Sequence, residues 1–295
     1  MTTILNRYNL SILLLLIALG LGYHNMPLKA SSPRLTAETL NRTLFNSSLY
    51  TTIQSHWFAD VPTGSTTPTP DAVKRWFFNP NEAEKASFDN TCRTAFGPAL
   101  EAISPRYLPL PLFKSWTTER ELANSIAAPF LQEINPKIHN ENQAASNALS
   151  LILLLDQMSR NIFRTNQAVI YSHFDRLSRA LLHIILTTQP RLDLHPAYRH
   201  SPVFRTWFYM PLVHSESLND HQLFETIITE LRGEMAAKGD EEAVKSIDMN
   251  LDFEARHKTI IERFGRYPYR NEVLQRQSTE EEEEWLANGG ERFGT

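Results

Sequence analysis

The stretch LSLILLLDQMSRNIFR, Leu149 to Arg164, decides how the rest of the chain is read. Leu149 to Leu155 is apolar at nearly every position. Asp156, Arg160 and Arg164 then recur every four residues, with Asn161 beside them. Four-residue spacing stacks side chains on one helix face. The reading is a helix driven through the core, with a polar cluster emerging at its end. Around it the apolar residues keep helical spacing. Residues 168 to 186 turn Ile170, Phe174, Leu177, Leu181, Ile184 and Ile185 inward. Leu223, Phe224, Ile227, Ile228 and Leu231 form another such face. No useful run alternates with period two, so the chain reads as all-α, built of antiparallel helix pairs.

Punctuation sets the expected boundaries. Asn79-Pro80-Asn81-Glu82 predicts a helix start with Asn79 as cap and Pro80 first. That helix carries Phe88, Cys92, Ala95, Phe96, Ala99 and Ile103 on one face, and Gly97-Pro98 should kink or break it. Thr118 to Phe130 reads as helix, Thr187 to Pro202 as a long loop, and Pro211 as the end or bend of the aromatic run from Val203. Asn219 and Asp220 are the expected caps of the next helix. Asp240 should cap another that runs to Phe264 and stops at Gly265. Ser278 and Glu281 form a capping box for a last short helix.

Composition excludes several classes. The chain has 295 residues, 42% hydrophobic and 21% charged, which describes a folded protein with a substantial core. A net charge of −4 argues against a general polyanion binder, nucleic acid included. One cysteine allows no internal disulfide and no cysteine metal cluster. Cys92 lies on an apolar stripe and reads as packing. No glycine-rich phosphate loop, GxSxG elbow or HExxH is present, and no cofactor signature appears.

Leu10 to Tyr23 is an uncharged apolar run behind Arg7. It fits a signal peptide or an uncleaved signal anchor, and so a membrane association through this leader only, in the secretory pathway. A mitochondrial presequence is the alternative address, and a buried core helix the structural one. Sequons at Asn41 and Asn46 favour a lumenal body. The expected division is a leader with linker over residues 1–38 and one helical domain over 39–295.

Three places can carry chemistry. In the first, Asp156 pairs with Arg160 across one turn, with Asn161 and Arg164 adjacent. This is either an ion-pair network or a ligand site, since charges near a core need partners and arginine favours planar anions. In the second, His214 and Glu216 could act as base and orienter on irregular backbone, or Ser215 and its neighbours could simply cap the next helix. The third runs from Leu251 to Gln277, where six basic residues face four acidic ones in an acidic protein. His257 there lies on the stripe of Phe253, Ile261 and Phe264. It is either a satisfied core histidine or an acid-base group. Arg266, Arg270 and Asn271 follow Gly265 with Tyr267 and Tyr269 interleaved. The aromatic clusters His56-Trp57-Phe58 and Arg75-Trp76-Phe77-Phe78 read as core anchors.

Several motifs resemble the uncharacterised domain-of-unknown-function family numbered 924. They are RWFFNPNEAEKASFDNTCRTAFGPALEAI (Arg75 to Ile103), LLLDQMSRNIFR, FYMPLVHSES (Phe208 to Ser217) and ARHKTIIERFGRYPYRNEVLQRQSTEEEEEWL (Ala255 to Leu286). The resemblance implies a tetratricopeptide-like helical fold and no established activity. By match it marks Asp156, Gln157, Arg160, Asn161, Arg164, His214, Glu216, His257, Arg263, Gly265, Arg266, Pro268, Arg270 and Asn271. The chain departs from the family with Met158-Ser159 in place of an aromatic-proline pair, and with Tyr269 where a histidine is common.

The resulting expectation is one pocket at the end of the central helix. Asp156 orients Arg160, while Arg164, Arg266 and Arg270 hold a small phosphorylated or carboxylated molecule. His214 or His257 is the acid-base candidate, and no metal is called for. The rival is a helical scaffold for a peptide or protein partner, with the same charges closed in pairs. An RNA binder would instead show an outward basic-aromatic strip from Arg266 to Arg276.

Overall fold

A helical run from Glu141 to Ile162 passes through the main core, with Ser47–Trp57, Glu82–Ala102 and Asp175–Thr187 packed against it. The computed structural model describes residues 40–77 and 79–293. The leader lies outside them. No strand occurs among the described residues, and none of their helices is long and apolar enough to cross a membrane.

In chain order, α1 is Ser47–Trp57, α2 Pro70–Trp76 and α3 Glu82–Ala102. The central run begins as α4, Glu141–Ile152, passes through a π-helical segment, Leu153–Met158, and ends as α5, Ser159–Ile162. Next come α6, Gln167–Val169, a second π-helical segment, Ile170–Phe174, and α7, Asp175–Thr187. The short α8, Met210–Val213, precedes the long α9, Leu218–Ala237, and α10, Glu241–Phe264. The last helix is α11, Glu280–Ala287. Short turns of helix make the connections at Trp116–Glu121, Ala123–Ile126, Pro196–Arg199 and Pro202–Arg205.

The centre is buried on every side. Ala144, Ala145, Ala148, Leu149 and Leu151 to Leu155 are all fully buried, as a helix apolar around its circumference must be. It packs on α1 and α7, and α3 crosses its end at α5. Of the expected polar cluster, Asp156 stays fully buried, while Arg160, Asn161 and Arg164 are half-buried. The turn between α9 and α10 uses Gly239 at φ +73°. Helix α10 is capped by Asp240, whose side chain accepts the Ala243 N–H, and it stops at Gly265 in the left-handed conformation, φ +67°.

Several boundaries differ from expectation. Helix α3 starts one cap later, because Asn81 accepts from the N–H groups of Ala83 and Glu84 and leaves Pro80 outside. It runs unbroken through Gly97-Pro98. The residue before a proline is pushed out of the helical region by clashes of the ring with its N–H and its Cβ, and Gly97 lacks the second. On its predicted stripe Cys92, Phe96, Ala99 and Ile103 are buried, while Ala95 is exposed. Thr118 to Phe130 is three short pieces, and Thr187 to Pro202 contains helical turns. Pro211 opens α8 rather than ending a helix. Ser217 occupies the cap of α9, while Asp220 is buried, with its carboxylate accepting from Arg179 and from the Ser215 hydroxyl at 2.6 Å. The capping box of α11 is Thr279 with Glu282, one residue beyond Ser278 and Glu281.

Candidate functional site

Two π-helical segments lie against each other where the central run ends. Such segments are rare and recur at functional sites, because the extra residue in a turn re-aims the side chains that follow. The first brings Asp156 and Gln157 to this point, and the second brings Tyr171.

Arg160 reaches across to Asp175, the first residue of α7. Its Nη1 and Nη2 donate to the two carboxylate oxygens at 2.7 and 3.1 Å, and Nη1 also donates to the Asp156 carbonyl at 2.8 Å. Its distance to the Asp156 carboxylate is 3.7 Å. The expected one-turn pair is therefore the weaker contact, and the Asp156 carboxylate is committed elsewhere. Oδ2 accepts from Gln157 Nε2 at 2.6 Å, and Oδ1 lies 2.9 Å from His214 Nδ1. Burial opposes ionisation of Asp156, but His214 and Arg160 beside it hold the carboxyl below its ordinary range. Burial and the Arg160 charge push His214 below its ordinary value. A carboxylate only accepts, so the ring donates Nδ1–H to Asp156. Its Nε2 has no hydrogen-bond partner among the described residues. Glu216, expected to orient His214, instead accepts from Arg276 at 2.6 and 2.9 Å and from the Tyr267 N–H at 3.0 Å. Ser215 accepts the Ser217 N–H at 3.1 Å, the local bonding expected of a loop before a helix.

Arg270 closes the site from the loop after α10. It is 5% exposed and sits among Tyr171 and Tyr267, whose ring centres lie 4.3 and 4.4 Å from its guanidinium carbon. Nη1 donates to the His214 carbonyl at 2.9 Å, and its nearest carboxylate oxygen, on Asp175, stands 3.9 Å away. Its Nε is buried with no partner. His257 is also 2% exposed and buried in the wall. Its Nδ1–H donates to the Phe253 carbonyl at 2.9 Å, its ring stacks 3.5 Å from Phe293, and burial lowers its pKa to about 3.

These groups line one cavity of about 380 Å³, with Arg160, Asn161, Arg164, His214, His257 and Arg270 all in its wall. Arg164 is held by Asp89 at 2.8 and 3.0 Å, and Asn161 donates to the Gln157 carbonyl at 3.1 Å. Arg266 and Asn271 do not enter it. Arg266 donates to Glu282 at 2.6 and 2.7 Å, and Asn271 donates to Ser278 and Glu282 at 3.1 and 3.2 Å. They fasten α11. With Tyr267, Tyr269 and Arg270 buried and Arg276 on Glu216, the run from Arg266 to Arg276 presents no outward basic strip. No group of three or more His, Cys, Asp or Glu side chains among the described residues is placed to hold a metal ion. A more open groove of about 660 Å³ adjoins the cavity through Arg75, Trp76, Phe77, Asn161 and Arg164.

Sequence reasoning missed Asp175, Tyr171 and the aromatic wall. Trp57, Trp76, Phe77 and Trp207 line the cavity, and Phe77 is 50% exposed, so the second aromatic cluster is not wholly a core anchor. The available signal was electrostatic: Arg160 and Arg270 together need more carboxylate than Asp156 supplies.

An all-helical protein with a buried aspartate bonded to a half-buried histidine at an arginine-lined cavity is the class this geometry defines. Residues 53–290 match the model of a bacterial protein family of unknown function, DUF924, and the chain belongs to that family. A solved structure of a protein of unknown function from Agrobacterium tumefaciens is similar, at 26% identity over 82% of this chain and 98% of that one, with a TM-score of 0.49. No curated protein matches.

Proposed function

We propose that the cavity binds a small organic anion. One observation carries this reading. Arg270 is almost wholly buried in the cavity wall, and its guanidinium is held between rings, with the nearest carboxylate oxygen, on Asp175, 3.9 Å away. A buried charge left so incompletely paired is costly unless another group completes it. A volume of about 380 Å³ lies within the range of roughly 300–1,000 Å³ usual for small-ligand sites. His214 is the proton acceptor in this reading, oriented by Asp156 as a general base is oriented by a carboxylate.

The test is thermal unfolding of the full chain in inorganic phosphate, acetate or chloride at matched ionic strength. At a hundredfold excess over Kd, binding stabilises by about 2.7 kcal/mol, a rise of roughly 5–10 °C for a chain this size. The expected result is a rise with phosphate or acetate that Arg270→Lys loses. Equal melting temperatures in all three salts would refute it.

The second reading, a tetratricopeptide-like scaffold for a protein partner, is favoured by one surface. The proline-rich crossing before the Trp116–Glu121 helix exposes Tyr107, Leu112 and Phe113 at 53, 83 and 40%. Arg160, Arg164 and Arg266, closed in carboxylate pairs, also suit it. Arg270 does not.

A further inference from the structure

The cavity has two unlike halves. Arg160, Arg164, Arg270 and His214 form one end, and Trp76, Phe77, Trp207, Met210, Val213 and Phe253 form the other. Trp207 organises the apolar half. Trp57 and Trp76 meet it edge-on, each with ring centres 4.9 Å away, and Phe77 lies parallel at 5.8 Å and 9°. Phe77 and Phe253 stay 50 and 37% exposed at its rim. Rings held rigidly around a cavity and left facing solvent make a surface for a flat apolar group.

Charge bears on which anion suits the other half. Arg256 and Arg292 at the rim are open to solvent, and Arg75 is paired with Asp60. At the Arg270 end, Arg160, Arg164 and Arg270 face Asp156, Asp175 and Asp89, three against three, with Asp175 shared between Arg160 and Arg270. That end is close to neutral, so a singly charged carboxylate brings less uncompensated charge into it than a dianionic phosphate.

Resting on the anion-site reading above, we infer that the ligand class is a monocarboxylic acid carrying an aromatic or fused-ring body. The carboxylate lies at the Arg270 end and the ring lies along the Trp207 wall. His214 Nε2 then faces the bound molecule from the side of the carboxylate.

The experiment compares four probes on the full-length chain, with calorimetry and tryptophan emission as readouts. They are 2-naphthoate, 2-naphthyl phosphate, 2-naphthalenemethanol and acetate. Three of the five tryptophans of the chain, Trp57, Trp76 and Trp207, line the cavity, so a ring seated there changes the emission. The expected result is that 2-naphthoate binds at least about tenfold more tightly than each of the other three, with quenching, a margin set by either a missing ring or a mismatched charge. Phe77→Ala, at a half-exposed position, should weaken naphthoate severalfold and leave acetate unchanged. Tighter binding of the naphthyl phosphate overturns the carboxylate assignment and leaves the anion site standing. Acetate binding as tightly as naphthoate overturns the role of the aromatic wall. The neutral alcohol binding as tightly as naphthoate overturns both this inference and the anion site. Failure of all four probes to bind overturns the inference, and the phosphate and acetate melting shifts then decide the anion site alone.

Discussion

Nδ1 of His214 lies 2.9 Å from Oδ1 of Asp156, a contact that spans 58 residues of chain and joins the end of the central helix to the turn before α9. Asp156 has no solvent exposure, so its charge depends wholly on its neighbours. Removing one partner of a buried ionic contact costs about 3–5 kcal/mol, because the remaining groups are left uncompensated. Asp156→Ala should lose that much in urea unfolding. Asp156→Asn keeps an oxygen to accept the His214 N–H and should lose less, about 1–3 kcal/mol. Equal losses in the two variants would mean that the hydrogen bond to His214 contributes nothing.

Acid should unfold this protein through its histidines. Burial lowers His173 to about 4, His183 to about 4 and His257 to about 3, whereas all three titrate near 6.5 in an unfolded chain. Their folded values are depressed, so the unfolded state binds the extra protons. Their contribution to stability is complete above about pH 6.5 and declines as the pH falls towards 4. Each histidine contributes about 1.4 kcal/mol per pH unit, so the three together give about 4 near pH 5. Unfolding free energies measured at several pH values give this slope. His257→Gln should reduce it by about a third, whatever it does to the stability at pH 7.

Gly265 holds the turn that delivers Arg270 to the cavity. Its φ of +67° lies in the left-handed region, and a Cβ placed there would meet nothing within 4 Å. Gly265→Ala therefore tests backbone strain without a clash, and should cost about 1–2 kcal/mol. Denaturant melts of the two proteins measure it, and a neutral substitution would show that the turn relaxes into another conformation.

Much of this was legible beforehand, for identifiable reasons. The fully apolar run before Asp156 announces a buried helix, and Gly265 announces a stop, because both depend on neighbouring residues alone. The convergence of His214, His257 and Arg270 on Arg160 followed from charges near a core needing partners. Which partners they take was not legible. Asp175 and Asp89 lie 15 and 75 residues from Arg160 and Arg164, and nothing local marks them. The π-helical segments escape periodicity too, since a run such as LLLDQM reads as ordinary helix. The last capping box shows a tie resolved by tertiary structure. Ser278 with Glu281 and Thr279 with Glu282 fit the pattern equally, but Ser278 accepts from Asn271 at 3.1 Å and Glu282 is held by Arg266. Only the second register remains free to cap.

Arg266 separates a residue that holds the fold from one that faces the ligand. Its fork closes on Glu282, which is 2% exposed and also anchors the Thr279 N–H at 2.8 Å. Arg266→Ala strips a nearly buried carboxylate of its charged partner and should destabilise the protein by about 1–3 kcal/mol, loosening α11. Because Arg266 stays outside the cavity, the melting shift produced by a bound anion should persist in this variant at its wild-type size. Arg270→Lys should show the reverse, a lost shift with a modest change in baseline stability. Measuring both variants with and without anion distinguishes the two roles. A shift abolished by Arg266→Ala as well would place the binding site at the α11 end of the loop, away from His214.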